Sequence, residues 1–145
     1  MKLGVKGRYA VTAMLDLCAQ QEGIAVSLMD IATRQSLPLS YLEQLFVKLR
    51  KAGLVESVRG AHGGYRLAQS RASIRLEDIV LAVDEEMTFT ACSSRKGCHT
   101  PSVRCLTHDL WEGLDRHVRS YLSAITLEDA LRGNVALPVS KGPRP

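Results

Sequence analysis

The sequence predicts a mainly α-helical fold with one small β-hairpin and a long C-terminal helix. Apolar residues recur at helical spacing through most of the chain, alternate only around residues 54–59, and return to helical spacing after residue 107. The chain has 145 residues, 46% of them hydrophobic, so it can bury one core of ordinary size. We therefore expect one main domain with an appended helix.

Composition and the N-terminus indicate a cytoplasmic protein with no membrane partner. No apolar stretch approaches the length of a membrane span, and the first eight residues lack the apolar segment and cleavage site of a signal peptide. In the cytoplasm thiols stay reduced, so clustered cysteines bind metal more often than they pair with each other.

The first two predicted helices follow from apolar spacing and capping residues. One runs over residues 8–21, where Gly23 provides a stop, and Cys18 lies on its apolar face as a buried small hydrophobe. Ser27 is placed to cap a second helix that continues through residue 35.

A third helix is predicted from a capping box, in which Ser40 satisfies an amide at the helix start and Glu43 reaches back to the cap. Gly53 ends this helix. The second and third helices, joined by a four-residue turn over 36–39, form a helix-turn-helix pattern. The second helix of this motif normally enters the major groove of DNA.

A hairpin follows directly. Residues 54–59 alternate like a strand, residues 60–64 are rich in glycine, and residues 65–68 form the return strand. Such a hairpin after a helix-turn-helix predicts a wing. A nucleotide-binding loop would instead open a helix and carry a Lys-Ser/Thr pair, and neither feature is present.

The C-terminal half is predicted to contain a helix over 76–83, a loop, and a long helix from about Thr107. Thr126 with Asp129 is placed to cap one short final helix. We divide the chain into a winged helix-turn-helix domain (1–84), a loop (85–106), a dimerisation helix with the last short helix (107–133) and a disordered tail (134–145). The long helix carries a stripe that favours pairing with a second copy over packing on its own domain; the stripe consists of Leu110, Leu114, Val118, Leu122 and Ile125. Its other face is predicted to carry Glu112, Asp115, Arg116 and Arg119.

Charge is divided unevenly along the chain. Residues 1–75 carry eleven Lys/Arg and five Asp/Glu, whereas residues 76–145 carry eight and ten, giving +6 and −2. This asymmetry is expected when one half meets a polyanion, although a solvated basic face is the alternative.

The candidate DNA-binding residues lie on the first helix, the third helix and the wing. Gln44 suits adenine, Glu43 suits a cytosine amine, and Arg59 is placed for a minor groove. Basic residues near the N-terminus would hold phosphates. The full set is Lys2, Lys6, Arg8, Tyr9, Ser40, Tyr41, Glu43, Gln44, Lys48, Arg59, Gly60 and Gly64.

Four metal-ligand side chains fall within seventeen residues, three in the predicted loop and one at the start of the long helix: Cys92, Cys98, Cys105 and His108. An iron-sulfur cluster, a structural zinc ion and thiol-based redox sensing all remain open from these residue types. His108 is in ligand register with Cys105, while His99 is a spare. Motifs for metalloprotease, nucleophile-elbow or phosphate-transfer chemistry are absent, so we expect a binding protein and not an enzyme.

Four runs of sequence resemble the IscR family of iron-sulfur cluster regulators: KGRYAV at 6–11, LSYLEQLF at 39–46, VRG and GGY at 58–65, and CLTHDLW at 105–111. The resemblance covers residues 1–133. It implies a homodimeric transcription factor that binds an operator in double-stranded DNA, senses cluster status and controls genes for iron-sulfur biogenesis or iron homeostasis. It also implies a 2Fe-2S cluster on Cys92, Cys98, Cys105 and His108, with RNA polymerase and cluster-assembly proteins as further partners.

The chain departs from the family's cysteine spacing. Six residues separate Cys98 from Cys105, where the family has five. Related regulators that sense nitric oxide or iron carry a 4Fe-4S cluster on three similar cysteines. A 4Fe-4S cluster therefore remains an alternative.

Overall fold

The computed structural model describes residues 4–83 and 104–135. Within these ranges the elements are α1 (Val5–Ala19), α2 (Leu28–Gln35), α3 (Leu39–Lys51), β1 (Val55–Val58), β2 (Gly64–Leu67), α4 (Leu76–Val83), α5 (His108–Ala124) and α6 (Leu127–Leu131). The predicted sites Lys2, Cys92, Cys98 and His99 lie outside the described residues, as do most of the predicted loop and tail. No helix in the described part is both long enough and apolar enough to cross a bilayer.

Both of the first two predicted helices are present, although α1 spans Val5–Ala19 where the sequence predicted residues 8–21. The side-chain oxygen of Ser27 accepts a hydrogen bond from the amide of Asp30 at 3.1 Å, which confirms the cap of α2. The helix ends where Ser36 adopts a left-handed conformation, with φ of 53°. That conformation turns the chain sharply into α3 and completes the helix-turn-helix.

The capping box predicted at Ser40 is wrong. Helix α3 starts one residue earlier, at Leu39, with Pro38 as its N-cap and no side-chain cap. The carbonyl of Pro38 accepts a hydrogen bond from the amide of Leu42 at 3.1 Å. The proline ring holds φ at −64°, which suits the start of a helix. Ser40 therefore lies in the first turn of the helix, and both Ser40 and Glu43 are exposed.

The wing is an antiparallel hairpin that pairs Val55 with Leu67 and Val58 with Gly64. Its second strand also pairs with the segment before α2, where Val26 and Tyr65 exchange two backbone hydrogen bonds of 2.8 Å. These bonds fix the base of the wing against the helix-turn-helix. The predicted winged helix-turn-helix is confirmed.

One hydrophobic core joins the helices. Its largest fully buried side chains in the described residues include Phe46, Met14, Ile31, Leu42, Leu49, Ile74 and Ile79. Ile125 and Leu127 belong to the same core, and the amide of Leu127 donates to the carbonyl of Ile74 at 2.9 Å. The capping box of Thr126 and Asp129 is confirmed at the start of α6. The chain thus returns to the first domain after α5.

Helix α5 is only partly covered. Val118 and Leu122 pack against Val80 of α4, whereas Leu110 is 63% exposed. The prediction that Asp115 lies on the polar face is wrong, because that residue is only 3% exposed. Position 115 lies three residues before Val118, so it shares the face that packs toward α4.

Candidate nucleic-acid interface and metal centre

The polar face of α3 is open to a partner. Ser40, Glu43 and Gln44 are exposed, because Leu42, Leu45, Phe46 and Leu49 form the buried face of the helix. Tyr41 is half-buried and meets the ring of Tyr9 edge-on, with centroids 5.6 Å apart. The first and third helices therefore share one surface through this aromatic pair.

Basic residues of that surface differ in their surroundings. Lys6 and Arg8 on α1 are exposed. Lys48 on α3 directs its Nζ to the carbonyl of Val83 at 3.4 Å. Sequence reasoning missed this contact, which depends on how α4 packs beside α3. It ties the recognition helix to the last described residue before the 84–103 segment.

The glycines of the wing serve two purposes. Arg59 and Gly60 are exposed, and Gly60 has a φ of 116° that lets the chain turn tightly. Gly64 is a packing position, because a Cβ there would lie 2.2 Å from the carbonyl oxygen of Val26. The Tyr65 ring next to it meets Phe46 of α3 with centroids 5.0 Å apart, so the wing is coupled to the recognition helix.

A buried carboxylate holds the helix-turn-helix together. Asp16 on α1 accepts hydrogen bonds from Arg34 Nη2 at 2.7 Å and from Gln35 Nε2 at 2.8 Å, both from α2. Burial raises the pKa of Asp16, but the Arg34 and Gln35 hydrogen bonds outweigh it and leave the pKa below its usual value. Sequence reasoning missed this cluster, since its members are eighteen and nineteen residues apart.

A backbone turn joins Cys105 and His108, the two predicted metal ligands in the described part. The amide of His108 donates to the carbonyl of Cys105 at 3.1 Å, and both residues are half-buried. Cys18 lies elsewhere, with 4% exposure, and burial raises the pKa of its thiol. The prediction that Cys18 is a buried core residue is confirmed.

Acidic groups surround His108. Ligand atoms of His108, Asp109 and Glu112 all lie within 4.8 Å of one another, and Nε2 of His108 lies 3.7 Å from Oε2 of Glu112. Arg104 pairs with Asp109 and comes within 3.9 Å of Glu112, so these carboxylates already have a cationic neighbour.

Comparison with known protein families agrees with this architecture. The chain has a helix-turn-helix with an exposed polar recognition face, a basic wing and a Cys-His turn. The profile of the Rrf2 family, described as iron-dependent transcriptional regulators, matches residues 3–133. The chain belongs to the Rrf2 family. It is a DNA-binding transcriptional regulator of that family, and the resemblance to IscR is confirmed at the level of individual relatives.

Three Rrf2 relatives illustrate the similarity. The chain is 50% identical to the HTH-type transcriptional regulator IscR of Vibrio atlanticus over 140 residues, which are 97% of this chain and 80% of that protein. The solved structure of T. potens IscR is 37% identical and superposes with a TM-score of 0.75 over 98% of this chain and 94% of that one. The global cysteine regulator CymR of B. subtilis is 32% identical, with a TM-score of 0.79 over 92% and 98%.

Proposed function

We propose that this Rrf2 regulator senses iron-sulfur cluster status in the cytoplasm and controls genes of iron-sulfur biogenesis or iron homeostasis. The observation that carries the proposal is the backbone turn between Cys105 and His108 at the start of α5. The 50% identity to an IscR over nearly the whole chain supports it.

Cys92, Cys98, Cys105 and His108 would hold the cluster. Thiolate and imidazole donors suit iron-sulfur chemistry, and the two donors in the described part are close in sequence and half-buried. When bound, the cluster would report on the cell's supply of iron, sulfide and oxidants, because it is gained or lost as that supply changes. A 2Fe-2S cluster is the occupant we propose, and 4Fe-4S is the alternative, because the additional residue before Cys105 departs from the family's spacing.

The DNA surface we propose combines the exposed side of α3, the N-terminal part of α1 and the wing. Gln44 and Glu43 would read base edges in the major groove, and Arg59 would enter the adjacent minor groove. Positions Lys2, Lys6, Arg8, Tyr9, Ser40, Tyr41, Lys48, Gly60 and Gly64 would contribute phosphate contacts or shape. Of these, Lys48 and Gly64 also have the intramolecular contacts described above.

The operator would be bound by a homodimer. Leu106, Leu110 and Trp111 leave apolar surface uncovered at the start of α5, next to the proposed cluster ligands. A second copy would cover it and set the distance between two recognition helices. RNA polymerase and cluster-assembly proteins are further proposed partners.

Purification without oxygen tests the function. The protein should carry iron and acid-labile sulfide in equal amounts, and its DNA affinity should differ between cluster-loaded and cluster-free forms. Cys105→Ser should lose the visible absorption, while Cys18→Ser serves as a matched control that keeps it. A colourless protein containing zinc, or a metal-free protein whose DNA affinity responds only to thiol oxidants, would contradict the proposal.

A further inference from the structure

The carboxylate of Glu112 is shared by three cationic or ring nitrogens at the start of α5. Its Oε2 lies 3.7 Å from Nε2 of His108, 3.7 Å from an Arg116 nitrogen and 3.9 Å from an Arg104 nitrogen. His108 and Arg116 reach it from one turn before and one turn after along the helix. Arg104 reaches it from the residue directly before Cys105. Glu112 thus lies near His108 and near the residue that precedes Cys105.

The imidazole ring of His108 has two nitrogens, and Nε2 is the one that lies near Glu112. A ligating imidazole is neutral, so one nitrogen binds the metal and the other carries the only N–H. Metal-binding histidines almost always donate that N–H to a carboxylate, carbonyl or water, which fixes the tautomer and the ring orientation. In this chain Nε2 of His108 faces Glu112, and only 19% of the His108 side chain is exposed. The 3.7 Å separation is longer than a hydrogen bond, so the bond requires the Glu112 side chain to move closer to Nε2.

We propose that Glu112 is the positioning residue for the cluster: it accepts the Nε2–H of His108 and leaves Nδ1 as the ligating nitrogen. This inference rests on the proposed function, because it requires His108 to be a ligand. Asp109 is less suited to the role, since Arg104 pairs closely with its carboxylate, whereas the arginine nitrogens near Glu112 lie 3.7 and 3.9 Å away. The same Arg104 disfavours a separate cation site among His108, Asp109 and Glu112, because its guanidinium lies among their carboxylates.

The test uses full-length protein reconstituted with ferrous iron and sulfide without oxygen. Cluster loss to an iron chelator is timed for Glu112→Ala, Glu112→Gln and Arg116→Ala. We expect about tenfold faster loss for Glu112→Ala, from the usual effect of removing a carboxylate that supports a ligand. Glu112→Gln should recover most of the lifetime because its amide oxygen still accepts from Nε2. Arg116→Ala removes another contact of the same carboxylate and should leave the lifetime unchanged.

Two further measurements separate positioning from general stability. In protein carrying histidine labelled with ¹⁵N at Nδ1, the reduced cluster should show strong hyperfine coupling to that nitrogen, and Glu112→Ala should weaken or redistribute it. In the His108→Cys background, Glu112→Ala should have no effect on cluster lifetime, because the residue through which Glu112 acts is gone.

Three outcomes would overturn the inference alone: a Glu112→Ala cluster as long-lived as the unaltered one, an equal loss in Arg116→Ala, or coupling through Nε2. Failure of the unaltered protein to take up iron and sulfide would overturn this inference together with the proposed function. The first measurement on the unaltered protein therefore distinguishes the two kinds of failure.

Discussion

Some side chains of the first domain hold the helices together, and others are exposed on the proposed DNA-binding surface. Asp16 belongs to the first group, since its side chain is 2% exposed and is satisfied by Arg34, which is itself 40% exposed. Ser40, Gln44 and Arg59 belong to the second. A buried carboxylate is tolerated only while its hydrogen-bond donors remain. Loss of Arg34 should therefore destabilise the fold more than the exposure of Arg34 suggests.

Arg34→Ala should lower the free energy of unfolding by about 2 kcal/mol at pH 7, because it removes charged hydrogen bonds from a buried carboxylate. The folded-state pKa of Asp16 lies below its ordinary value of 3.8, so the stabilisation is present above about pH 4 and is lost as pH falls through the folded pKa. The difference between the two proteins should therefore be largest at neutral pH and shrink at pH 3. Urea denaturation at both pH values measures it.

Arg116→Ala is the matched control for this substitution. It breaks a contact between two side chains that are 75% and 45% exposed, which should cost less than about 0.5 kcal/mol at either pH. An Arg34→Ala protein as stable as this control would mean that Asp16 does not depend on Arg34.

Elements could be predicted from the sequence to the extent that they are encoded locally. Apolar periodicity and capping residues together predicted the six helices and the hairpin of the described part. The caps at Ser27 and Thr126 are correct, since a cap involves neighbours in sequence. The Ser40 cap failed because Pro38 could start the same helix earlier. Asp115 was placed on the polar face because it is charged, although its position three residues before Val118 puts it on the side of α5 that packs toward α4.

The same distinction applies to the candidate site. Exposure of Gln44 and Arg59 follows from polar residues opposite an apolar face, so the sequence was enough to predict it. The contacts of Lys48 with Val83 and of Glu112 with Arg104 depend on packing between separate segments, and sequence reasoning missed both.

The attachment of the wing can be tested through its glycines. Gly64→Ala should lower the free energy of unfolding by more than about 2 kcal/mol, because φ there is 151° and the new Cβ would lie 2.2 Å from the Val26 oxygen. Gly23→Ala is the control: its φ is also positive, at 81°, but its Cβ would enter open space, so only about 1 kcal/mol should be lost. Equal losses, measured by urea denaturation, would contradict the close contact between Gly64 and Val26.

On the scale of the whole molecule, α5 is connected to the first domain mainly at its C-terminal end. Ile125 and Leu127 are in the common core, and Arg75 Nη1 donates to the carbonyl of Ser123 at 2.9 Å. The N-terminal end of α5 carries Cys105 and His108 beside exposed Leu110. Lys48 of α3 contacts Val83, the residue that directly precedes the 84–103 segment. A cluster held in that segment would therefore act between the recognition helix and the proposed dimer contact.

Leu110→Asp tests whether that contact joins two copies. Burying one carboxylate per subunit in an apolar interface costs several kcal/mol, so the dimer dissociation constant should rise by more than about a hundredfold. Analytical ultracentrifugation should then find monomers, and operator affinity should fall because one subunit reaches only one half-site. Leu131→Asp makes the same change at an exposed leucine of α6 outside the stripe and should leave the dimer intact. A Leu110→Asp protein that sediments as a dimer would require the two copies to meet through a different surface.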